Sequence, residues 1–174
     1  MHTIPPFPDL PLAALPAPYR LRDMRAGDAG DDAFACALYS STRDDLRLLP
    51  GPPALAEQLI AMQWRAQVLG YRQSYPHAFY LVLEHDGAPV GRLVLDQDGD
   101  ALRLVDIAIL PGERGRGAGS AALRGLQALA GARRLHLALG VSKSNAAARR
   151  LYRRLGFELR AEDELQEQLA WSPA

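Results

Sequence analysis

The segment at positions 113–120 reads ERGRGAGS and separates an apolar stretch from a run of helix-forming residues. Glycine loses more conformational freedom on folding than any other residue, so a cluster of glycines requires a structural reason. The usual reasons are a tight turn or the close approach of another group to the main chain. A loop that enters a helix also presents unpaired N–H groups, which bind anions. The segment therefore predicts a strand, loop and helix with an anion site.

The composition limits the kinds of protein that this chain can be. A length of 174 residues with 48% hydrophobic residues fits one well-buried core. The formal net charge is zero, which argues against a nucleic-acid-binding or membrane-surface protein, so any anion site must be local. Cys36 is the only cysteine, which excludes an internal disulfide and a cysteine-based metal cluster and is typical of the cytoplasm. We expect a cytoplasmic protein without a metal site.

The first 18 residues contain prolines at positions 5, 6, 8, 11, 16 and 18, which interrupt every apolar run. This stretch has no basic region at its start, so the pattern predicts neither a signal peptide nor a membrane span. Proline at this density favours an extended chain. We therefore expect a proline-rich N-terminal arm at residues 1–18 and a single domain at residues 19–174.

The hydrophobic pattern predicts a strand at residues 19–24, then a helix, and then a second helix at residues 54–69. The apolar residues of the second helix recur at intervals of three and four, and Gly70 is placed to end it. This apolar face consists of Leu55, Leu59, Met62, Ala66 and Leu69.

Three β-rich runs follow at residues 79–84, 89–96 and 101–110, joined by the turns HDGA and QDGD, and they predict an antiparallel meander. The helix SAALRGLQALAGARR, the strand LHLALGV and the helix NAAARRLYRRLG then complete a βαβ unit, and FELRAE and LQEQLAWS predict a final hairpin. The predicted fold class is α/β (α+β), with a mixed sheet of six or seven strands and about four helices. The glycine loop lies at the carboxyl end of a central strand, where ligands of α/β sheets bind.

The glycine loop fits two well-known phosphate-binding motifs poorly. A P-loop requires a lysine directly after its last glycine, and none is present. A dinucleotide fingerprint at Gly117, Gly119 and Ala122 needs an acidic residue closing the next strand, and LHLALGVSKSN has none.

Arg114, Gly117 and Gly119 instead form the pattern R-x-x-G-x-G, and the segment NAAARRLYRRLGF follows downstream. Together the two motifs resemble the GNAT superfamily of acyl-CoA-dependent N-acetyltransferases. The order of elements matches from about Tyr19 to Trp171. The resemblance implies that a strand, the loop and a helix bind the pantetheine and pyrophosphate of acetyl-CoA, and that an Asn and a Tyr follow beside the cofactor.

Asn145 and Tyr152 fit the last two positions by their spacing. At about 100° per residue, seven residues bring them within about 20° of each other on a helix. Taken alone, Tyr152 is better explained as an aromatic side chain at the edge of the core, and the glycine loop together with Asn145 in register reverses that preference. The arginines at positions 149, 150, 153 and 154 fall on another arc, which we expect to be solvated surface or to supply one side chain to a cofactor phosphate or an acidic substrate.

The resemblance implies specific roles for residues of this chain. The backbone of Ile107, Ala108 and Ile109 would pair with the pantetheine arm, and the Ile109 N–H would polarise the thioester carbonyl. Asn145 would contact the cofactor, and Tyr152 would protonate the departing thiolate. The loop residues that would hold the pyrophosphate are Arg114, Gly115, Arg116, Gly117, Ala118, Gly119 and Ser120.

The general base is where the chain departs from the family. Many relatives carry a glutamate at the position that aligns with Gly140, which has no side chain to accept a proton. Asp106 is the substitute candidate because it breaks an apolar run next to the proposed thioester site, although it is also compatible with a structural carboxylate. The further candidates, His77, Glu84 and His136, are each more simply structural. Water would suffice if the amine is partly neutral.

The acceptor amine stays open between small polyamines, aminoglycosides, amino acids and protein amino termini. The regions expected to contact it contain Asp44, Asp45, Trp64, Tyr71 and Tyr75. Two other functions compete with catalysis: a non-catalytic acyl-CoA-binding sensor, which Gly140 favours, and a nucleic-acid-binding domain, which the balanced charge opposes. The edge of the final hairpin could also pair two subunits as a homodimer.

Overall fold

The computed structural model of the protein describes residues 15–24 and 28–173. Residues 1–14 of the predicted arm, and part of the turn into the first helix, therefore lie outside the described residues. The seven strands are β1 (Tyr19–Asp23), β2 (Phe79–His85), β3 (Ala88–Asp98), β4 (Ala101–Ile109), β5 (His136–Ser142), β6 (Glu158–Glu162) and β7 (Gln166–Trp171). The helices are α1 (Ala29–Ser41), α2 (Asp44–Arg47), α3 (Pro53–Ser74), α4 (Ala118–Ala132) and α5 (Ala146–Arg154).

The strands form one sheet in the order β1-β2-β3-β4-β5-β7-β6. Only β4 and β5 run parallel, because α4 crosses between them, and the other neighbours are antiparallel. The predicted meander, βαβ unit and final hairpin are confirmed, with β7 inserted between β5 and β6. β6 is an exposed outer edge, and the pairing of two subunits along it stays a prediction.

The two faces of the sheet carry different helices. Leu81, Leu83 and Leu93 point to the face that packs against α4, where the main core cluster lies. Successive side chains of a strand alternate between faces, so Arg92 and Val94 point to the opposite face, under α1 and α3. This second face holds both the polar pair and the cleft described below.

Helix α3 differs from its prediction in both length and orientation. It continues through Gly70 to Ser74, and four residues of the predicted apolar face are exposed: Leu55, Met62, Ala66 and Leu69. Ile60 is buried instead, and Trp64 is half-buried on the same side of the helix. A second stripe with helical spacing, Ile60, Trp64, Gln67 and Tyr71, therefore faces the sheet, because its aromatic side chains cover more apolar area than the aliphatic stripe does.

The sheet opens between β4 and β5, and a bulge accompanies this opening. β5 pairs only with residues 101–104 of β4, although β4 continues to Ile109. On the other side, Val94 and Leu95 of β3 pair with Asp106 and Leu104, which leaves Val105 as an extra residue. A bulge of this kind bends a strand and reverses the alternation of its side chains. Asp106 is thereby turned to the same face as Arg92.

The last residues of the predicted arm belong to the folded domain. Leu15 is buried in the core cluster and packs over Gly125 of α4, where a side chain would collide with it. The boundary of the domain therefore lies before Tyr19. Within residues 15–24 and 28–173, no helix is long and apolar enough to cross a membrane.

Candidate active site

A cleft of about 440 Å³ lies where the sheet opens, and it collects residues from six elements and the glycine loop. Eight of the thirteen predicted site residues line it: Asp106, Ile107, Ala108, Ile109, Arg114, Gly119, Asn145 and Tyr152. A smaller cavity between β4 and β5 continues from it along Val105, Gly140 and Ser142. One edge of residues 105–109 has no strand partner in the described part of the chain, so its main-chain groups are available to an extended ligand such as pantetheine.

The glycine loop turns into α4 through backbone conformations that favour glycine. Gly115 and Gly117 have φ angles of 72° and 95°, and Gly117 caps α4 without any side-chain hydrogen bond. The first N–H bonded within this turn is that of Ala121, which donates to the Gly117 carbonyl. The N–H groups of residues 115–120 make no hydrogen bond to a described residue. This arrangement suits a phosphate, as the sequence predicts.

The two arginines of the loop are placed differently. Arg114 lines the cleft, and its Nε donates to the carbonyl oxygen of Ile109 at 3.1 Å, which holds the loop against the end of β4. Arg116 pairs with Glu113 at 3.2 Å and is outside the lining of the cleft. Arg114 is therefore the better placed of the two to meet a cofactor phosphate. Gly115, Arg116, Gly117, Ala118 and Ser120 form the loop and the helix start rather than the cleft wall.

Asn145 precedes α5 instead of lying within it. Its Oδ1 accepts a hydrogen bond from the N–H of Ala148 at 3.1 Å, which makes it the N-cap. The side-chain oxygen is therefore occupied, while the amide NH₂ has no partner among the described residues. Asn145 and Tyr152 line the same two cavities, so the shared direction predicted from their spacing is confirmed although the helix begins one residue later.

Tyr152 is buried at the junction of the cleft and the core. Its ring packs edge to face against Phe157 at 5.7 Å between centroids, and its hydroxyl makes no hydrogen bond to a described residue. Burial raises the pKa of the phenol, and the negative charge of Asp106 adds to the effect. The group therefore keeps its proton at neutral pH.

Asp106 forms an ion pair with an arginine, and the sequence did not identify which arginine this would be. Its Oδ2 accepts a hydrogen bond from Nη2 of Arg92 at 2.7 Å, and the Arg92 side chain is 6% exposed. The only sequence signal for Arg92 was an arginine inside an apolar strand. Whether that arginine meets a carboxylate depends on the bulge at Val105, which no local pattern reveals.

The other base candidates lie away from the cleft. Glu84 is buried and bonded to Nε of Arg22 at 2.6 Å, and His136 lies 2.9 Å from the Ser172 hydroxyl. His77 is exposed and does not line the cleft. Gly140 lies opposite Gln168, whose amide occupies the space that a side chain at position 140 would need.

The predicted acceptor residues fall into two groups. Trp64 and Tyr71 lie on the buried side of α3 near the Arg92–Asp106 pair, and burial raises the pKa of Tyr71 to about 12. Asp44 and Asp45 are exposed on α2, and Arg47 and Arg43 already pair with them. Tyr75 stacks edge to face on Tyr71 at the end of α3.

An ion pair anchors α5. Of the four arginines expected to form solvated surface, three are exposed and Arg149 is half-buried. Glu167 of β7 is 3% exposed, and both Arg149 and Arg153 bond to it. Arg149 also donates to the Lys143 carbonyl at 3.2 Å. The start of α5, which carries Asn145, is therefore fastened to the sheet.

The comparisons with known proteins identify the family of the chain. Residues 38–157 match the acetyltransferase (GNAT) family, which is more than half of the chain. The fold and the cleft define an acetyltransferase domain, and acetyl-CoA is the cosubstrate of this class. The chain belongs to the acetyltransferase (GNAT) family. A search of the curated proteins found no match.

Solved structures share the fold at low sequence identity. The PaiA N-acetyltransferase from Thermoplasma acidophilum, in complex with coenzyme A, is 14% identical, with a TM-score of 0.65 over 88% of this chain and 98% of its own. An alanine N-acetyltransferase of a ribosomal protein from Escherichia coli is 19% identical, with a TM-score of 0.63 over 90% of this chain and 94% of its own. In the part of this chain that the structure describes, no group of three His, Cys, Asp or Glu residues could hold a metal ion.

Proposed function

We propose that this protein transfers the acetyl group of acetyl-CoA to a primary amine by direct attack, with Tyr152 as the general acid. The observation that carries the proposal is Tyr152, a buried residue that lines the cleft beside the open edge of β4 and whose hydroxyl has no hydrogen-bond partner among the described residues. The names of both neighbours describe N-acetyl transfer, which supports an amine acceptor.

The cofactor would bind along residues 107–109, with its pyrophosphate over the N–H groups of residues 115–120 and Arg114 beside it. The amide NH₂ of Asn145 would donate to the pantetheine arm. The Ile109 N–H would stabilise the charge that develops on the carbonyl oxygen during attack.

The reaction would begin when Asp106 accepts one proton from the ammonium group of the acceptor. The amine nitrogen then forms a bond to the carbonyl carbon, the carbon–sulfur bond breaks, and the thiolate takes the proton of Tyr152. The nitrogen loses its second proton through water, which returns a proton to Tyr152. The products are an N-acetyl amide, free coenzyme A and one proton.

The first experiment is calorimetric titration of the protein with acetyl-CoA and, in parallel, with free coenzyme A. We expect binding with a Kd on the order of micromolar, about −8 kcal/mol. An absence of heat at millimolar ligand would exclude the proposed cofactor site.

The catalytic role of Tyr152 requires a second experiment. We expect Tyr152→Phe to lower kcat by about 100-fold or more while acetyl-CoA affinity stays within about twofold, because only proton donation is lost. Tyr80→Phe on β2, outside the cleft lining, is the matched control and should leave kcat unchanged. Unchanged turnover in Tyr152→Phe would remove the general acid from the mechanism.

A non-catalytic acyl-CoA sensor is the second candidate function. Two observations favour it: Arg92 already binds Asp106, and Gly140 provides no carboxylate. Tight acetyl-CoA binding without acetylation of any amine in a broad panel would support the sensor over the enzyme.

A further inference from the structure

Arg92 is a buried cation at the base of the acceptor side of the cleft. It lies on β3 and is 5% exposed, and its guanidinium carbon is 5.0 Å from the centre of the Trp64 ring. Nη2 donates to Asp106 at 2.7 Å and to the side-chain oxygen of Gln67 at 3.3 Å. These two contacts use the N–H groups of one nitrogen only.

The other N–H groups of Arg92 make no hydrogen bond to the residues that the structure describes. Among the side chains that the structure describes, its Nε is the one enclosed nitrogen or oxygen without a hydrogen bond. Nη1 also lacks a partner in residues 15–24 and 28–173, but it is not enclosed, so it is open to the cleft that Arg92 lines. Nη1 can therefore donate to an anionic oxygen of a ligand, and hydrogen bonds between charged groups are the stronger ones.

Asp106 offers the complementary half of a binding site. Within the described residues only its Oδ2 accepts a hydrogen bond, and its side chain is 23% exposed beside Tyr152. The pair therefore presents free donors and a free acceptor oxygen next to each other, with no net charge. A ligand that binds both Arg92 and Asp106 carries an anionic group and a cationic group close to each other.

We propose that the acceptor is an α-amino acid whose carboxylate binds Nη1 of Arg92 and whose amino group binds Oδ1 of Asp106. This proposal rests on the proposed acetyl transfer and names its substrate class. An α-amino acid is a zwitterion whose two charged groups share one carbon, so it brings an anion to Arg92 and a cation to Asp106 in one small molecule. The acetylated atom is the α-nitrogen, which Asp106 would hold beside Tyr152.

The charges around the cleft disfavour polycationic acceptors. Among the described residues that line the cleft, Asp106 is the only carboxylate, and Arg92 neutralises it. Asp44 and Asp45 on the acceptor side are paired with arginines. A polyamine or aminoglycoside would therefore bring several charges to a site with no net negative charge.

The test uses three acceptors of one shape at saturating acetyl-CoA: leucine, leucinamide and isoamylamine, with the dipeptide leucylglycine and spermidine added. Leucine is the probe because Ala35 and Leu38 form an apolar wall beside the pair. We expect kcat/KM for leucine to exceed that for the amide and the amine by about 10-fold or more, from the loss of one charge-assisted hydrogen bond. Calorimetric binding of leucine to the coenzyme A-saturated protein provides a readout independent of turnover.

A variant tests whether Arg92 causes the preference for leucine. Arg92→Met should reduce kcat/KM for leucine to the value for isoamylamine, while the affinity for acetyl-CoA is unchanged. Arg65→Met, on the exposed side of α3, should change neither kcat/KM nor this affinity. If Arg92→Met does not fold, the acceptor series with the native protein still decides the proposal.

The possible outcomes separate this proposal from the proposed function. Faster turnover of spermidine, isoamylamine or leucylglycine than of leucine would overturn the amino-acid acceptor and leave acetyl transfer intact. Equal rates for leucine and leucinamide would also overturn it, because the carboxylate would then make no contribution. Turnover of none of the amines, despite acetyl-CoA binding, would mean that acetyl transfer itself fails.

Discussion

The hydroxyl of Tyr152 lies in surroundings that oppose its ionisation. A phenolate there would be buried against Phe157 and near the carboxylate of Asp106, and both effects raise the pKa of the group above its ordinary value of 10.0. A general acid with a raised pKa holds its proton over the whole neutral range. It can release that proton once a thiolate forms beside it.

The pH dependence of turnover follows from the direction of this shift. Because the pKa of Tyr152 is above 10.0, the protonated fraction stays near one up to about pH 9, so kcat should not fall between pH 7 and about pH 9. A pH profile of kcat at saturating substrates measures this. A decrease in kcat with an apparent pKa below about 9 would contradict the assignment of Tyr152 as the general acid. The same decrease in Tyr152→Phe would show that another group causes it.

Sequence reasoning found the residues whose role depends on local spacing and missed those that depend on pairing. Asn145 and Tyr152 are seven residues apart, and the helix brings them to one cavity whatever surrounds it. Arg92 and Asp106 are on different strands, and the bulge at Val105 decides whether they meet. Strand register is a tertiary property, so the ion pair could not be read from the sequence.

At the scale of elements, the contact between β3 and the end of β4 depends on Gly91. A Cβ atom at this position would lie 2.8 Å from the carbonyl oxygen of Ala108 and 2.8 Å from Cδ1 of Ile109. Both neighbours belong to the segment proposed to bind pantetheine. The absence of a side chain thus keeps that segment in place.

Gly91→Ala should destabilise the protein by about 1–3 kcal/mol and weaken acetyl-CoA binding, because the backbone of β4 must shift to accept the methyl group. Urea unfolding and calorimetry measure the two effects. Gly70→Ala in α3, where no atom lies within 4 Å of the new Cβ, is the control, and it should stabilise by about 0.5–1 kcal/mol. Unchanged acetyl-CoA affinity in Gly91→Ala would argue against the role of residues 107–109.

Helix α5 depends on its ion pair with β7. The hydrogen bond from Arg149 holds the pKa of Glu167 below its ordinary value of 4.5. A carboxyl whose pKa is lowered by folding stabilises the protein above the pKa of the unfolded chain and loses this contribution as pH falls through the folded pKa. The stabilisation should therefore be complete at neutral pH and disappear in acid.

Glu167→Gln should lower the Tm at pH 7 and weaken acetyl-CoA binding, because Asn145 precedes the helix that this pair fastens. The difference in Tm from the native protein should narrow once the pH falls below about 4.5. Glu162→Gln, which removes an exposed pair with Lys143, is the control and should change both quantities little. A Tm difference that does not depend on pH would show that packing, rather than charge, is lost.

At the scale of the whole molecule, cofactor binding should stabilise the fold because the site spans the loop, β4 and α5. Acetyl-CoA at 100 times its Kd should add about 2.7 kcal/mol to the free energy of unfolding and raise the Tm by about 5–10 °C. Thermal unfolding with and without the cofactor measures this shift.

A pair of glycine variants identifies the loop as the source of the shift. Gly117→Val places a side chain at a φ of 95° at the start of α4 and should abolish most of the stabilisation by acetyl-CoA. Gly99→Val carries a comparable strain at a φ of 59° in the turn between β3 and β4, away from the cleft, and should keep it. Equal responses of the two variants would place the cofactor elsewhere.

The sequence by itself determined the order of the elements, the glycine loop before α4 and the pairing of Asn145 with Tyr152, because each depends on periodicity or on the conformational freedom of a few neighbouring residues. The tertiary structure decided which face of α3 is buried, where β4 and β5 separate, and which groups meet at the base of the cleft. Those features depend on strand register and on competition between two helical stripes for one buried surface. Both are settled only by contacts between residues far apart in the chain.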